Sequence, residues 1–159
     1  MTRKAFMTAV AVITLSTPAI ADTVLPADVV FDDYGVVEQS LTGMPGDPEK
    51  GMLAMNKGAG NCIACHHVTA LLEVFPYHGE VGPSLDGVGD RWAIEELRGI
   101  VADAKKTFPE SVMPSFYKTE GFFRPGKGFT GKAAEGPIQP YLSAEQIEDV
   151  VAYLLTLTE

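Results

Sequence analysis

Cys62-Ile63-Ala64-Cys65-His66 decides how this chain reads, because C-x-x-C-H is the attachment sequence for c-type haem. The residue types follow from the chemistry. Two thiols add to the vinyl groups of a porphyrin, and the histidine beside the second thioether is held where its imidazole can bind iron from one face. Two other readings compete with this one. A thioredoxin-like dithiol wants a βαβ setting, which the chain lacks, and a zinc site would need both cysteines plus two of His66, His67 and His78. Cys62 and Cys65 are the only cysteines among 159 residues, which excludes a disulfide framework and an iron–sulfur cluster held by four thiolates of this chain. The motif therefore points to one covalently bound haem c per chain, with Cys62 and Cys65 as the thioether positions and His66 as an axial iron ligand.

Such iron usually takes a second axial ligand, and a methionine thioether there raises the reduction potential by favouring the ferrous state. Met44 lies in a Gly/Pro-rich stretch, and Met52 and Met55 fall in a helical pattern where core packing is their ordinary use. Met113 stands apart in Ser111-Val112-Met113-Pro114, a loop segment that the proline stiffens, and is the candidate ligand; a gap-filling core methionine is its bland alternative. His67 and His78 are the rivals. His67 abuts His66 and is expected to point away from the iron, and His78, in Pro76-Tyr77-His78-Gly79, reads as a solvated loop histidine. Gly82-Pro83-Ser84-Leu85 follows at a distance where a loop can pass the His66 ring. A carbonyl there, Pro83 being the candidate, would accept the Nδ1 proton and fix the tautomer; an ordinary Gly-Pro turn is the competing account.

Outward from the motif, residues 1–21 carry Arg3 and Lys4, an apolar run from Ala5 to Leu15 and the small-residue triplet Ala19-Ile20-Ala21, which reads as a cleaved secretory signal peptide. Its apolar run is too short for a membrane span of about 20 residues, so the expectation is a soluble, exported protein. The full chain carries a net charge of −9; without residues 1–21 it has ten basic and twenty-one acidic residues, about −11. That sign excludes nucleic acid and anionic membranes as probable electrostatic partners. Residues 22–46 read as an extended arm whose docking site the sequence does not give. Asp47-Pro48 is an N-cap followed by proline at the first helical position, opening a helix that Gly58 and Gly60 close. A second helix is expected from about Asp90, with Ala93, Leu97, Ile100, Val101 and Ala104 as one apolar stripe. A third starts at a capping box, Ser143 and Gln146, with Leu142 and Ile147 as its hydrophobic staple and Ile147, Val150, Val151, Leu154 and Leu155 as its stripe. With no period-2 strand and no internal repeat, the chain is mainly α with long loops.

These features together, over roughly residues 47–159, resemble the class I cytochrome c family. The resemblance implies three to five helices packed around a covalently bound haem, with long loops and here an N-terminal arm. More narrowly, Asp90-Arg91-Trp92, Glu95-Glu96-Leu97-Arg98, Met113-Pro114-Ser115-Phe116-Tyr117-Lys118 and Glu148-Asp149-Val150-Val151-Ala152-Tyr153-Leu154 resemble the SoxX family, the monohaem subunits of SoxAX complexes in bacterial thiosulfate oxidation. That resemblance implies a periplasmic heterodimer with a larger haem-bearing subunit resembling SoxA. It also implies transient contact with a sulfur-carrier protein and with a downstream electron acceptor. Cys62 and Cys65 would be the thioethers, His66 the proximal ligand and Met113 the distal one. The chain has no spare cysteine for a persulfide, so catalytic sulfur chemistry would belong to the partner. A freestanding periplasmic carrier is the alternative, and a small haem enzyme or sensor with an open distal site is a third.

Charge is uneven along the sequence. Lys105 to Lys132 holds six basic and two acidic residues, interleaved with Phe116, Tyr117, Phe122, Phe123 and Phe129. This window contains Met113, so it is expected either to ring the methionine side of the haem and meet an acidic partner or to be solvated surface.

Overall fold

Asp47 begins the first helix, α1 (Pro48–Asn56), by turning its carboxylate back to accept from Glu49 N at 3.0 Å and Lys50 N at 3.4 Å. Two of the four orphan amides of a helix start are thereby satisfied, and Pro48 has none to lose. The computed structural model describes residues 22–127 and 130–159; the expected signal peptide, residues 1–21, and Phe129 lie outside them. A short helix α2 (Val88–Arg91), α3 (Ile94–Asp103) and α4 (Ala144–Leu154) complete the helical frame. A two-residue hairpin, Gly126–Lys127 against Lys132–Ala133, is the sole sheet among the described residues. No helix there is long and apolar enough to cross a membrane.

α4 is the hub, packing against both α1 and α3. Ser143 Oγ accepts from Gln146 N at 3.2 Å while Gln146 Oε1 accepts from Ser143 N at 2.9 Å, the reciprocal box read from the sequence. Leu142, Ile147, Val150, Val151 and Leu154 are buried; Leu155, read as part of the stripe, is only half-buried at the C-cap. α1 lies so close to α4 that a β-carbon on Gly51 would overlap the Asp149 carbonyl, so glycine is required by the crossing itself.

The helix expected from Asp90 is two helices. Trp92 adopts extended backbone (φ −133°, ψ 139°), and α3 restarts at Ile94 with the Glu96 carboxylate accepting from Ala93 N at 2.7 Å. Alanine at the N-cap offers no side-chain acceptor, so the break lacked the capping residue that usually marks a helix start.

The arm has a place. Val37 and Leu41 are buried in the core, and two charged side chains rise from the helices to meet the arm's main chain. Arg98 of α3 donates to Val37 O at 2.8 Å, and Glu148 of α4 accepts from Leu41 N at 2.7 Å. Arg98 and Glu148 form a fork, Nε–Oε1 2.8 Å and Nη2–Oε2 3.3 Å, with both side chains no more than 5% exposed. Tyr117 Oη adds a third tie, donating to Val24 O at 2.6 Å. Glu148→Ala would leave Arg98 buried and unpaired, a change that costs about 3–5 kcal/mol. The expected result is a lower denaturant midpoint in the haem-loaded protein together with new protease cleavage confined to residues 22–46, read by mass spectrometry.

A cavity built around the C-x-x-C-H turn

The loop after α1 reaches the motif through a left-handed residue, Asn61 (φ 39°), a conformation asparagine tolerates better than most. The chain then enters a 3-10 turn, Cys62–Ala64, in which Cys65 N and His66 N both donate to Cys62 O, at 3.1 and 3.0 Å. This tight winding buries Ile63 on the core side and brings Cys62, Cys65 and His66 to one wall of a cavity of about 1200 Å³. Residues 79–85 run beside the motif, stitched by main-chain bonds from Gly79 N to Ile63 O, Gly82 N to Cys65 O and Leu85 N to His67 O.

That stitching sets the histidine. His66 Nδ1 lies 2.7 Å from Pro83 O, and a carbonyl can only accept, so Nδ1 carries the proton and Nε2 keeps its lone pair. Gly82 passes so near the ring that a β-carbon would overlap it, which makes glycine the only residue that fits there. The loop is pinned from its far side by Asp86, whose carboxylate accepts from Thr69 N (2.8 Å), Thr69 Oγ1 (2.8 Å) and Ser84 Oγ (3.0 Å). Burial works against that carboxylate, but these bonds and nearby His67 outweigh it and hold Asp86 below its ordinary 3.8. A depressed carboxyl stabilises the fold above its unfolded value and ceases to as pH falls through its folded one. The stability gap between the unmodified protein and Asp86→Asn is therefore expected at neutral pH and should close in acid, below 3.8, in denaturant titrations run across pH.

Met113 reaches the same cavity from the loop after α3, half-buried. Met55, fully buried in the core, also reaches this wall, so two methionines border the space. Neither rival histidine does. His67 Nε2 sits 3.2 Å from Thr69 Oγ1, and His78, read from the sequence as solvated, is half-buried with Nδ1 accepting from Val68 N at 3.1 Å. That bond makes His78 a brace for the chain leaving the motif.

The rest of the wall is apolar. Leu97, Ile100, Val101 and Ala104, read as an apolar stripe for a core, line the cavity, and Val150 and Leu154 of α4 join them. An apolar stripe at helical spacing looks the same whether it faces a neighbouring helix or a flat aromatic ring, so sequence could not tell these apart. Trp92 and Phe108, an edge-to-face pair with centroids 6.1 Å apart, were missed as wall residues, as was Arg91. Of the aromatic residues in the basic window, Phe116 lines the cavity and Tyr117 ties the arm, while Phe122 and Phe123 are exposed.

The donor set fits haem c. The volume is above the 300–1,000 Å³ typical of small-molecule pockets, the lining is mainly hydrocarbon, and an imidazole lone pair and two thiols share one wall. Cys62 and Cys65 are unbridged, and burial pushes the Cys62 thiol up to about 11, a backbone hydrogen bond offsetting part of the rise and Cys65 adding to it. A zinc site fares worse, since no three His, Cys, Asp or Glu side chains among the described residues are grouped to hold a metal ion.

Comparison with known proteins agrees with the geometry. The model of the cytochrome c family matches residues 49–158. No curated protein matches the chain. Among solved structures, the crystal structure of SoxXA from P. pantotrophus is similar, with 53% identity over 87% of this chain and 100% of that one and a TM-score of 0.81. With the family model spanning the domain from α1 to α4 and a SoxXA chain matched along its whole length, this protein belongs to the cytochrome c family, as a SoxX-like class I cytochrome carrying a covalently bound c-type haem.

Proposed function

We propose that the protein is the electron-relaying subunit of an exported, SoxAX-like heterodimer that acts in thiosulfate oxidation. Cys62 and Cys65 would hold the haem covalently, and His66 and Met113 would supply its iron ligands. Haem bound there supplies a one-electron couple at iron. The chain's own part is to exclude water with the Leu97–Val101–Leu154 wall, to present His66 Nε2 through the Pro83 carbonyl, and to bring the Met113 thioether to the same cavity, where it would serve as the second iron ligand. The observation that carries this reading is the convergence of both cysteines, the oriented His66 and Met113 on one apolar cavity.

With both His66 and Met113 as iron ligands there would be no open position for a substrate, and the chain would serve to relay electrons rather than to bind a reactant. It has no further cysteine to carry sulfur. The sulfur-transfer step is therefore assigned to the partner, which the resemblance to the SoxX family makes a larger, haem-bearing subunit resembling SoxA; the similarity to the structure titled SoxXA supports such a pairing. Residues 1–21 serve as the export signal and residues 22–46 as a packed extension of the cytochrome domain.

Native mass spectrometry of the tagged protein purified from its own periplasm tests the assignment. A stoichiometric complex with a second, larger haem chain is the expected result. A lone chain of about 138 residues with one haem would replace it with a freestanding carrier between a dehydrogenase and an oxidase.

A further inference from the structure

Met113 is gripped from outside the cavity by the end of one helix. Three successive ties run from residues 102–105, at the C-terminal end of α3, to residues 113–117: Ala102 O accepts from Tyr117 N at 3.0 Å, Asp103 Oδ1 accepts from Ser115 Oγ at 2.6 Å, and Lys105 Nζ donates to Met113 O. The Asp103–Ser115 bond is buried, while Lys105 is exposed. Pro114 has no amide to offer, and the other hydrogen bond at the methionine itself is Met113 N donating to Ser111 Oγ at 3.2 Å, a local one; further along, Phe116 O accepts from Leu142 N at 3.1 Å. Among the described residues Lys105 has no carboxylate partner, although the chain is strongly acidic. A lysine free of ion pairs and committed to a backbone carbonyl is spending its charge on position.

We propose that the end of α3 is a clamp for the methionine ligand, with Asp103 as its inner jaw and Lys105 as its outer one. This rests on Met113 being an axial ligand. The clamp opposes the outward swing of residues 113–115 that would uncover the iron, and Lys105 adds a fixed positive charge beside the ligand, which favours the reduced state. Lys105 and Asp103 are positioning residues, acting through Met113.

The test is stopped-flow binding of imidazole to the ferric, haem-loaded protein, because an added ligand can enter only when the thioether leaves. Lys105→Met is expected to speed binding about tenfold or more, the effect of losing a hydrogen bond from a charged donor, and to lower the reduction potential. Lys105→Arg should restore both, and Ser115→Ala should speed binding with the potential little changed. Unchanged imidazole kinetics and potential in Lys105→Met, with the thioether absorption band intact in the unmutated protein, would overturn the clamp alone. Absence of that band in the unmutated ferric protein would overturn the ligand assignment and the clamp together.

Discussion

A chain carrying Cys62→Ala and Cys65→Ala is expected to lose its haem to acidified organic solvent and with it the native fold. Without the ring, the mainly apolar space of about 1200 Å³ between the motif and α3 has no packing partner, and unfilled apolar space is costly, so the walls must collapse or flood. Leu97, Ile100, Val101 and Leu154 would then face water or one another in a geometry built for a flat aromatic partner. The expected state keeps helical far-ultraviolet circular dichroism and loses the near-ultraviolet signals of packed Trp92 and Tyr117, with dye binding to exposed apolar surface. Retention of a sharp, cooperative melt in the haem-free chain would refute the claim that the cofactor is the core.

The second large effect falls on Met113. Met113→Ala is expected to abolish the weak long-wavelength absorption that a thioether gives ferric haem and to lower the reduction potential by on the order of 100 mV or more, since axial ligands set haem potentials over ~0.8 V. Met55 provides the control, because it reaches the same wall from α1 while fully buried in the core. Met55→Leu should cost stability by an imperfect repacking of similar volume, below about 1.5 kcal/mol, and leave the long-wavelength band in place. Loss of the band in Met55→Leu and its survival in Met113→Ala would exchange the roles of the two methionines.

How much of this was legible beforehand depended on whether a feature was local. Asp47-Pro48 and Ser143…Gln146 carry their own hydrogen bonds within four residues, so α1 and α4 could be read with their caps. The C-x-x-C-H turn is equally local, and it brought the cofactor with it. The break at Trp92–Ala93 was hidden because the apolar spacing continues across it and the N-cap is alanine; its one trace was Glu96, three residues on, folding back to the Ala93 amide. The arm was opaque for the opposite reason. Its ties run from backbone atoms of Val37 and Leu41 to side chains 61 and 107 residues away, and main-chain partners leave no mark in a sequence. Glu148 lies outside the apolar stripe read on α4, yet it is among the most buried charges of the described residues. His78 was misjudged likewise, since its acceptor role depends on the Val68 amide brought to it by the turn after the motif.

The basic window also changes meaning once folded. Lys105 is bound to Met113 O, Lys106 stands 5.6 Å over the Phe31 ring and Lys118 5.7 Å over Phe122, so three of its six cations are engaged within the chain. These contacts are to uncharged groups, so they fix the positions of the three charges without cancelling them.

The central claim is that His66 and Met113 hold one covalently attached haem in this cavity. Near-infrared magnetic circular dichroism of the ferric protein tests it most directly, because the charge-transfer energy distinguishes histidine–methionine from bis-histidine and histidine–water coordination. The account predicts the histidine–methionine signature in the unmutated protein and its loss in Met113→Ala. A bis-histidine or histidine–water signature in the unmutated protein would contradict it.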